Sequence, residues 1–182
     1  MAAHAPEQLE TARLRLRKPI AADADAIFHR YSSDPIVTKY LGWPRHTSVD
    51  DTRAFLAFSD AEWKKWQAGP YLIESLEDRR LLGGTGFGFE TPRIATTGYV
   101  LATDAWGRGY ATEALAAIVA SGGSVLLDRL YALCHPDNAA SVRVLEKCSF
   151  VLEERLEAFD GFPNLESSEP RVCLKYGRTL AG

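Results

Sequence analysis

The residues best suited to chemistry lie between positions 98 and 120. A strand-like run, Gly98-Tyr99-Val100-Leu101-Ala102, leads into Trp106-Gly107-Arg108-Gly109-Tyr110-Ala111-Thr112-Glu113-Ala114. A helix-like run, Ala114 to Ala120, follows. Glycines in such a loop let the backbone approach an anion with no Cβ in the way. The unpaired N–H groups of the first helical turn point at that anion, and the helix dipole adds positive potential. Strand, glycine loop and helix start together predict a cradle for the pyrophosphate of a coenzyme.

Two common phosphate loops do not fit. A P-loop ends in Gly-Lys-Ser/Thr, which this sequence does not contain. A dinucleotide-binding fingerprint needs G-x-G-x-x-G after an early strand, with an acidic residue about 20 positions on. Here Thr112 stands at the third glycine position, the unit sits mid-chain, and Asp128 falls in a loop-like stretch. The segment does resemble the acetyl-coenzyme A loop of the GNAT acetyltransferase superfamily, Gln/Arg-x-x-Gly-x-Gly/Ala. Gly109 and Ala111 match its last two fixed positions, and Trp106 stands where Gln or Arg is usual. Two more segments are similar to the branch that includes the RimJ/RimL-like ribosomal-protein N-terminal acetyltransferases. Leu9-Glu10-Thr11-Ala12-Arg13-Leu14-Arg15-Leu16-Arg17 resembles its opening strand, L-x-T-x-R-L-x-L-R. Asn138 to Phe150 resembles its helix N-x-x-S-x-x-V-L-E-K-x-G-F, with Ser149 in place of the glycine. The resemblance covers residues 9–176 as a single N-acetyltransferase domain and leaves 1–8 and 177–182 as short tails.

The resemblance implies an α/β (α+β mixed) fold, a mixed six- to seven-stranded sheet with splayed central strands, flanked by helices. The splayed strands would be Ala95 to Ala102 and Leu130 to His135, with the pantetheine arm entering between them. It implies acetyl-CoA as cosubstrate, no metal, and direct acetyl transfer to a primary amine on a protein N-terminus or a small molecule. The other reading is a non-catalytic acyl-CoA-binding module, favoured by two family side chains that this chain lacks. The coenzyme would be held by Gly107, Arg108, Gly109, Tyr110, Ala111 and Thr112 at its pyrophosphate. Backbone groups of Val100, Leu101 and Ala102 would hold the pantetheine, an N–H near Leu101 polarising the thioester carbonyl. Lys147 or Arg108 would reach the phosphates, unless both are simply solvated surface charge.

Acetyl transfer also needs a deprotonated amine and a stabilised or protonated thiolate. Asn138 suits the N-cap of a helix beginning at Ala139, and the resemblance implies a bond to the pantetheine as well. Ser141 shares a helix face with Val144, Leu145 and Cys148. A serine there is back-bonded to a carbonyl or pointed at a ligand. The resemblance implies a place near the coenzyme sulfur, with Ser141 protonating the thiolate. Leu145 stands where many GNAT enzymes carry a tyrosine acid, which leaves Ser141 or water as donors. The branch often has Glu-Ile-Gly-Tyr before the loop; here it is Thr96-Thr97-Gly98-Tyr99, so that carboxylate is missing. His135 ends a splayed strand and has a suitable unperturbed pKa, which makes it a candidate base alongside Glu90, Asp104 and His46. A histidine before proline is also a common structural residue. A free N-terminal amine titrates near pH 8, so a strong base is not required. Cys134 has no nucleophilic role in direct transfer and reads as a small hydrophobe. Trp43, in a Gly-Trp-Pro loop, is the best candidate to line an acceptor pocket.

These groups must be positioned by one domain, since 182 residues with 46% hydrophobic content support a single sizeable core. A net charge of −3 argues against nucleic acid as a partner. Arg13, Arg15 and Arg17 alternate with Leu14 and Leu16, which predicts a solvated strand face over a buried one. Three cysteines without short spacing predict neither a disulfide framework nor a zinc site. No apolar run reaches a membrane span and no secretory signal is evident, so the expected compartment is the cytoplasm and the expected form a monomer or homodimer. The pattern predicts a strand from Leu14, a helix from Ala21 to Ser33, a loop from Tyr40, and a helix from Ser48 or Asp50 to about Gln67. A hairpin over 71–77 and 81–90 follows, its glycines at 83, 84, 86 and 88 predicting a bulge or a close approach. Then come the strand–loop–helix unit, a strand from Leu130 to His135, a helix from Ala139, and two last strands over 150–158 and 171–176.

Overall fold

The computed structural model describes residues 4–180. Its opening motif is a hairpin and not one strand. β1 (Gln8–Glu10) and β2 (Leu14–Arg17) pair antiparallel, and Thr11 closes the turn by accepting from the Leu14 N–H at 3.0 Å. Leu14 and Leu16 are fully buried, as their alternation predicts. Arg15 and Arg17 are not the solvated face expected of them. Both guanidiniums pair with Glu74, which is buried, and Arg17 also reaches Asp23 at 2.7 Å. A buried carboxylate is tolerated only with such partners.

The single helix expected over Ala21 to Ser33 is broken into a 3-10 turn, a short helix α1 (Ala24–Ile27) and a π turn over Phe28–Ser32. An unexpected one-turn helix, α2 (Pro35–Thr38), follows. Asp34 caps it, accepting from the Ile36 N–H at 2.8 Å, and Pro35 suits its first position. α3 (Val49–Trp66) begins after Ser48, and the Asp51 carboxylate accepts from the N–H groups of Thr47 and Ser48. Its buried face is Thr52, Leu56, Ser59 and Trp63, a regular helical period, while Phe58 points outward.

β3 (Pro70–Ser75), β4 (Leu81–Thr91) and β5 (Ile94–Leu101) form an antiparallel meander. Two glycines of β4 answer to neighbouring backbone, Gly83 to β5 and Gly86 to the start of β3. A Cβ on Gly83 would lie 1.9 Å from the Val100 carbonyl oxygen, and the register slips between Phe89 and Thr91. α4 (Tyr110–Ser121) leads to β6 (Arg129–Cys134), and α5 (Ala139–Lys147) leads to β7 (Val151–Leu156) and β8 (Cys173–Thr179).

Among the described residues the strands form one eight-stranded mixed sheet, β1-β2-β3-β4-β5-β6-β8-β7. The count passes the six or seven expected because the opening motif makes two strands. With β1 starting at Gln8 and β8 ending at Thr179, the sheet also runs beyond residues 9–176. α4 and α5 pack on one face against Leu14, Leu16, Leu101 and Leu130; α1, α2 and α3 pack on the other against Leu72, Val100 and Ala102. No helix among the described residues is long and apolar enough to cross a membrane.

The feature that matters for function is the junction of β5 and β6. The two run parallel through only Ile94↔Arg129, Ala95↔Leu130 and Thr96↔Tyr131. Beyond that, β5 stays with β4 and β6 stays with β8, so the strands diverge. A gap opens toward the C-terminal end of β5, where the glycine loop begins.

Candidate active site

Gly107 and Gly109 both adopt positive φ, 71° and 78°. A side chain at either would be strained whatever the space around it. Gly109 is the N-cap of α4, so the N–H groups of Tyr110, Ala111 and Thr112 have no acceptor within the helix. Residues 106–109 are exposed, Arg108 among them. The chain thus meets the local demands of an anion cradle.

A clasp that sequence reasoning missed holds this loop. Glu113, in the first turn of α4, accepts from the Thr11 hydroxyl at 2.5 Å, from the Arg13 backbone N–H at 2.9 Å and from Arg13 Nε at 2.7 Å. Arg13 Nη1 also donates to the Arg108 carbonyl at 2.9 Å, and the guanidinium lies 4.7 Å from the centre of the Tyr110 ring. The only signal in the sequence is that Thr11, Arg13 and Glu113 belong to two of the three quoted motifs.

Along β5 the backbone groups divide by parity. Ala102 N–H donates to the Leu82 carbonyl at 2.8 Å. Ladder bonds alternate along an antiparallel pair, so Val100 also faces β4, while Tyr99 and Leu101 turn their N–H and C=O groups toward the gap. Of the three residues expected to meet a pantetheine, Leu101 is therefore the one with a backbone donor on the open side. Its carbonyl accepts from the Trp106 indole N–H at 2.8 Å, which ties the loop to the strand end.

The far side of the gap is built by α5. Asn138 caps it, Oδ1 accepting from the Ser141 N–H at 3.3 Å. Ser141 Oγ lies 2.8 Å from the hydroxyl of Tyr99, which crosses from β5; Tyr99 is a second residue that sequence reasoning passed over. At the other end of α5, the Cys148 thiol donates to the Thr112 carbonyl at 3.5 Å, so Lys147, exposed, sits within one residue of a contact with the loop helix. The first and last turns of α5 thus reach the gap and the cradle respectively.

His135 is placed otherwise. It is buried, Nε2 donating to the Pro170 carbonyl at 3.0 Å and Nδ1 accepting from the Asp137 N–H at 3.2 Å. Its ring stacks on Tyr40, centroids 4.9 Å apart. Both nitrogens are engaged, so the side chain holds β6 to neighbouring loops and has no lone pair left for an amine. Asp104 is paired with Arg30 at 2.6 Å and Arg80 at 2.9 Å. Glu90 lies on β4 near the closed end of the splay. His46 bonds Thr52 Oγ1 at 2.8 Å, and burial pushes its imidazole down from the usual value despite nearby Asp51. Its ring is 5.2 Å from that of half-buried Trp43, whose carbonyl accepts from Asn164 Nδ2 at 2.9 Å. The cysteines are free and buried; burial pushes the Cys173 thiol up to about 11 and those of Cys134 and Cys148 upward. None is an activated nucleophile.

Comparison with known proteins agrees with this geometry. A family model described as an acetyltransferase (GNAT) domain matches residues 13–151. The N-acetyltransferase p20 of Bacillus licheniformis, itself uncharacterised, is 34% identical over 158 residues, 85% of this chain and 88% of its own. The crystal structure of a GNAT-family acetyltransferase from Bacillus anthracis is similar at a TM-score of 0.80 and 26% identity, over 94% of this chain and 98% of that one. RimL, a ribosomal L7/L12 alpha-N-protein acetyltransferase solved in complex with coenzyme A, shares the fold at a TM-score of 0.83 and 22% identity, over 96% and 98%. A family match of that length, on a sheet that splays beside its glycine loop, makes this chain a member of the GNAT acetyltransferase family and an N-acetyltransferase.

Proposed function

We propose that the protein carries an acetyl group from acetyl-CoA directly to a primary amine, on a protein N-terminus or a small molecule. The observation that carries this reading is the gap beyond Thr96 and Tyr131, which opens at the mouth of the glycine loop and bears Leu101 on one side and Ser141 on the other. The loop from Gly107 to Thr112 cradles the pyrophosphate. The Leu101 N–H donates to the thioester carbonyl as it gains negative charge, the type of stabilisation that weighs most in acyl transfer. The amine nitrogen attacks the carbonyl carbon, the C–S bond breaks toward sulfur, and the proton lost by nitrogen is replaced by one gained at sulfur, with Ser141 nearby to supply it. No dedicated base is assigned: an N-terminal amine with a pKa near 8 is partly neutral at working pH. Support for acetyl-CoA as the donor comes from RimL, which holds coenzyme A on the same fold.

The test is thiol release from acetyl-CoA across N-terminal peptides, polyamines, aminoglycosides and amino acids, with coenzyme binding followed by calorimetry. Release with one amine class is expected, and that class names the acceptor. Gly109→Val is expected to abolish coenzyme binding while the fold persists, since it strains a φ of 78° and covers the cradle. Unchanged affinity in that variant would overturn the cradle assignment.

A further inference from the structure

The Tyr99 side chain crosses the gap and meets the first turn of α5 twice. Its hydroxyl oxygen lies 2.8 Å from Ser141 Oγ and 2.9 Å from the Ser141 carbonyl oxygen. Tyr99 is three residues beyond Thr96, and Cys134 is three beyond Tyr131, so the two stand level on opposite sides of the opening. The Cys134 thiol donates to the His135 carbonyl at 3.4 Å.

Each hydroxyl has one hydrogen to give. Two arrangements follow, and no heavy atom moves between them. In the first, Tyr99 donates to the Ser141 carbonyl and Ser141 donates to Tyr99. In the second, Tyr99 donates to Ser141 Oγ, and the Ser141 hydrogen turns into the gap. The carbonyl loses little in the second, because within an α-helix it also accepts from the Leu145 N–H.

We propose that Tyr99 is a positioning residue for acetyl transfer, which donates to Ser141 Oγ and so aims the Ser141 hydrogen at the coenzyme sulfur. The inference rests on the proposed function and deepens it. As the C–S bond breaks and its electron pair goes to sulfur, Ser141 gives its hydrogen to sulfur. Ser141 Oγ then takes the proton lost by the amine nitrogen. Between the two transfers the Tyr99 hydrogen bond offsets the charge on Oγ, and Tyr99 ends as it began. Burial pushes the Tyr99 phenol well above its usual value, which keeps it a donor throughout.

Tyr99→Phe keeps the ring and removes the hydroxyl; Ser141→Ala removes the group it orients. One readout needs no acceptor. The thiolate absorbance of bound coenzyme A, taken as the difference from coenzyme-free protein, titrates the sulfur. Donors aimed at sulfur favour its charged form. The bound thiol is expected to ionise about one pH unit lower in wild type than in either variant, and the double variant is expected to match the single ones. In turnover, Tyr99→Phe is expected to lower kcat about 10- to 100-fold at unchanged KM for acetyl-CoA. That loss is expected to vanish when Ser141 is already alanine, because one residue acts through the other. Equal thiol ionisation in wild type and Tyr99→Phe overturns the proposal, as do kcat losses that add in the double variant. Loss of coenzyme affinity in Tyr99→Phe also overturns it, since the hydroxyl then serves only the fold. Failure of the wild type to bind coenzyme A would instead sink the proposed function, and this inference with it.

Discussion

Ser149 ends α5 in the left-handed region, with φ of 61°. Around it the Phe150 N–H donates to the Leu145 carbonyl and the Ser149 N–H to the Glu146 carbonyl, both at 3.0 Å, the bonding of a Schellman close. A residue with a Cβ pays roughly 1–2 kcal/mol for that conformation, and glycine does not. Part of the gain is offset by glycine's freedom in the unfolded chain. Ser149→Gly is therefore expected to stabilise by about 1 kcal/mol, raising Tm by about 2–4 °C with coenzyme affinity unchanged. A thermal melt checks it, and a lowered Tm would contradict the account. Residues like this one were legible in the sequence because their requirement is local: Gly107 and Gly109 announce a positive φ, and Asn138 announces a cap. His135 was not, because what decides its role is the Pro170 carbonyl and the Tyr40 ring, both remote in sequence. Tyr99 escaped notice for the same reason, its partner Ser141 lying on another element.

At the scale of elements, the turn between β1 and β2 and the start of α4 act as one unit. Thr11 and Arg13 bond Glu113, and Arg13 also holds the Arg108 carbonyl, so the hairpin ties down the glycine loop proposed as the cradle. Burial works to raise the Glu113 carboxyl, but bonds from Thr11 and Arg13 outweigh it and hold the group below its usual value. A depressed carboxyl contributes stability that is complete above its unfolded pKa, near 4.3, and is lost as pH falls through the folded value. Glu113→Gln is thus expected to be less stable than wild type at pH 7 by about 1–2 kcal/mol, with the difference shrinking below about pH 4. The same variant is expected to raise KM for acetyl-CoA several-fold with kcat little changed, because it loosens the proposed pyrophosphate loop and not the gap. Melts across pH and steady-state kinetics decide; a stability difference that stays constant into acid would rule out the linkage. Periodicity predicted these elements well where one side is buried. It failed for Arg15 and Arg17, since a period says which residues share a face but not that Glu74 waits on the neighbouring strand.

The whole molecule is two half-sheets, β1 to β5 and β6-β8-β7, joined edge to edge by three residue pairs and bridged by α4 and α5. That β8 lies between β6 and β7 is not written in any local pattern, because strand order depends on pairings between distant segments. The early strand–turn–strand and later strand–helix–strand patterns did imply a mixed sheet, and the three motifs implied where it would part. The consequence of the parting is a strand with two unlike edges. On β5 the N–H groups of Val100 and Ala102 are bonded into β4, whereas those of Tyr99 and Leu101 face the gap. Amide hydrogen exchange therefore separates neighbours. Without ligand, Tyr99 and Leu101 are expected to exchange fast and Val100 and Ala102 slowly. With saturating coenzyme A, Tyr99 and Leu101 are expected to slow by about tenfold or more as the pantetheine completes the edge, while Val100 and Ala102 change little. NMR-detected exchange resolves the four amides. Protection gained equally by all four would mean that the half-sheets tighten as a body, with no ligand lying along this edge. Protection gained only at Val100 and Ala102 would place the ligand elsewhere and remove Leu101 as the carbonyl's donor.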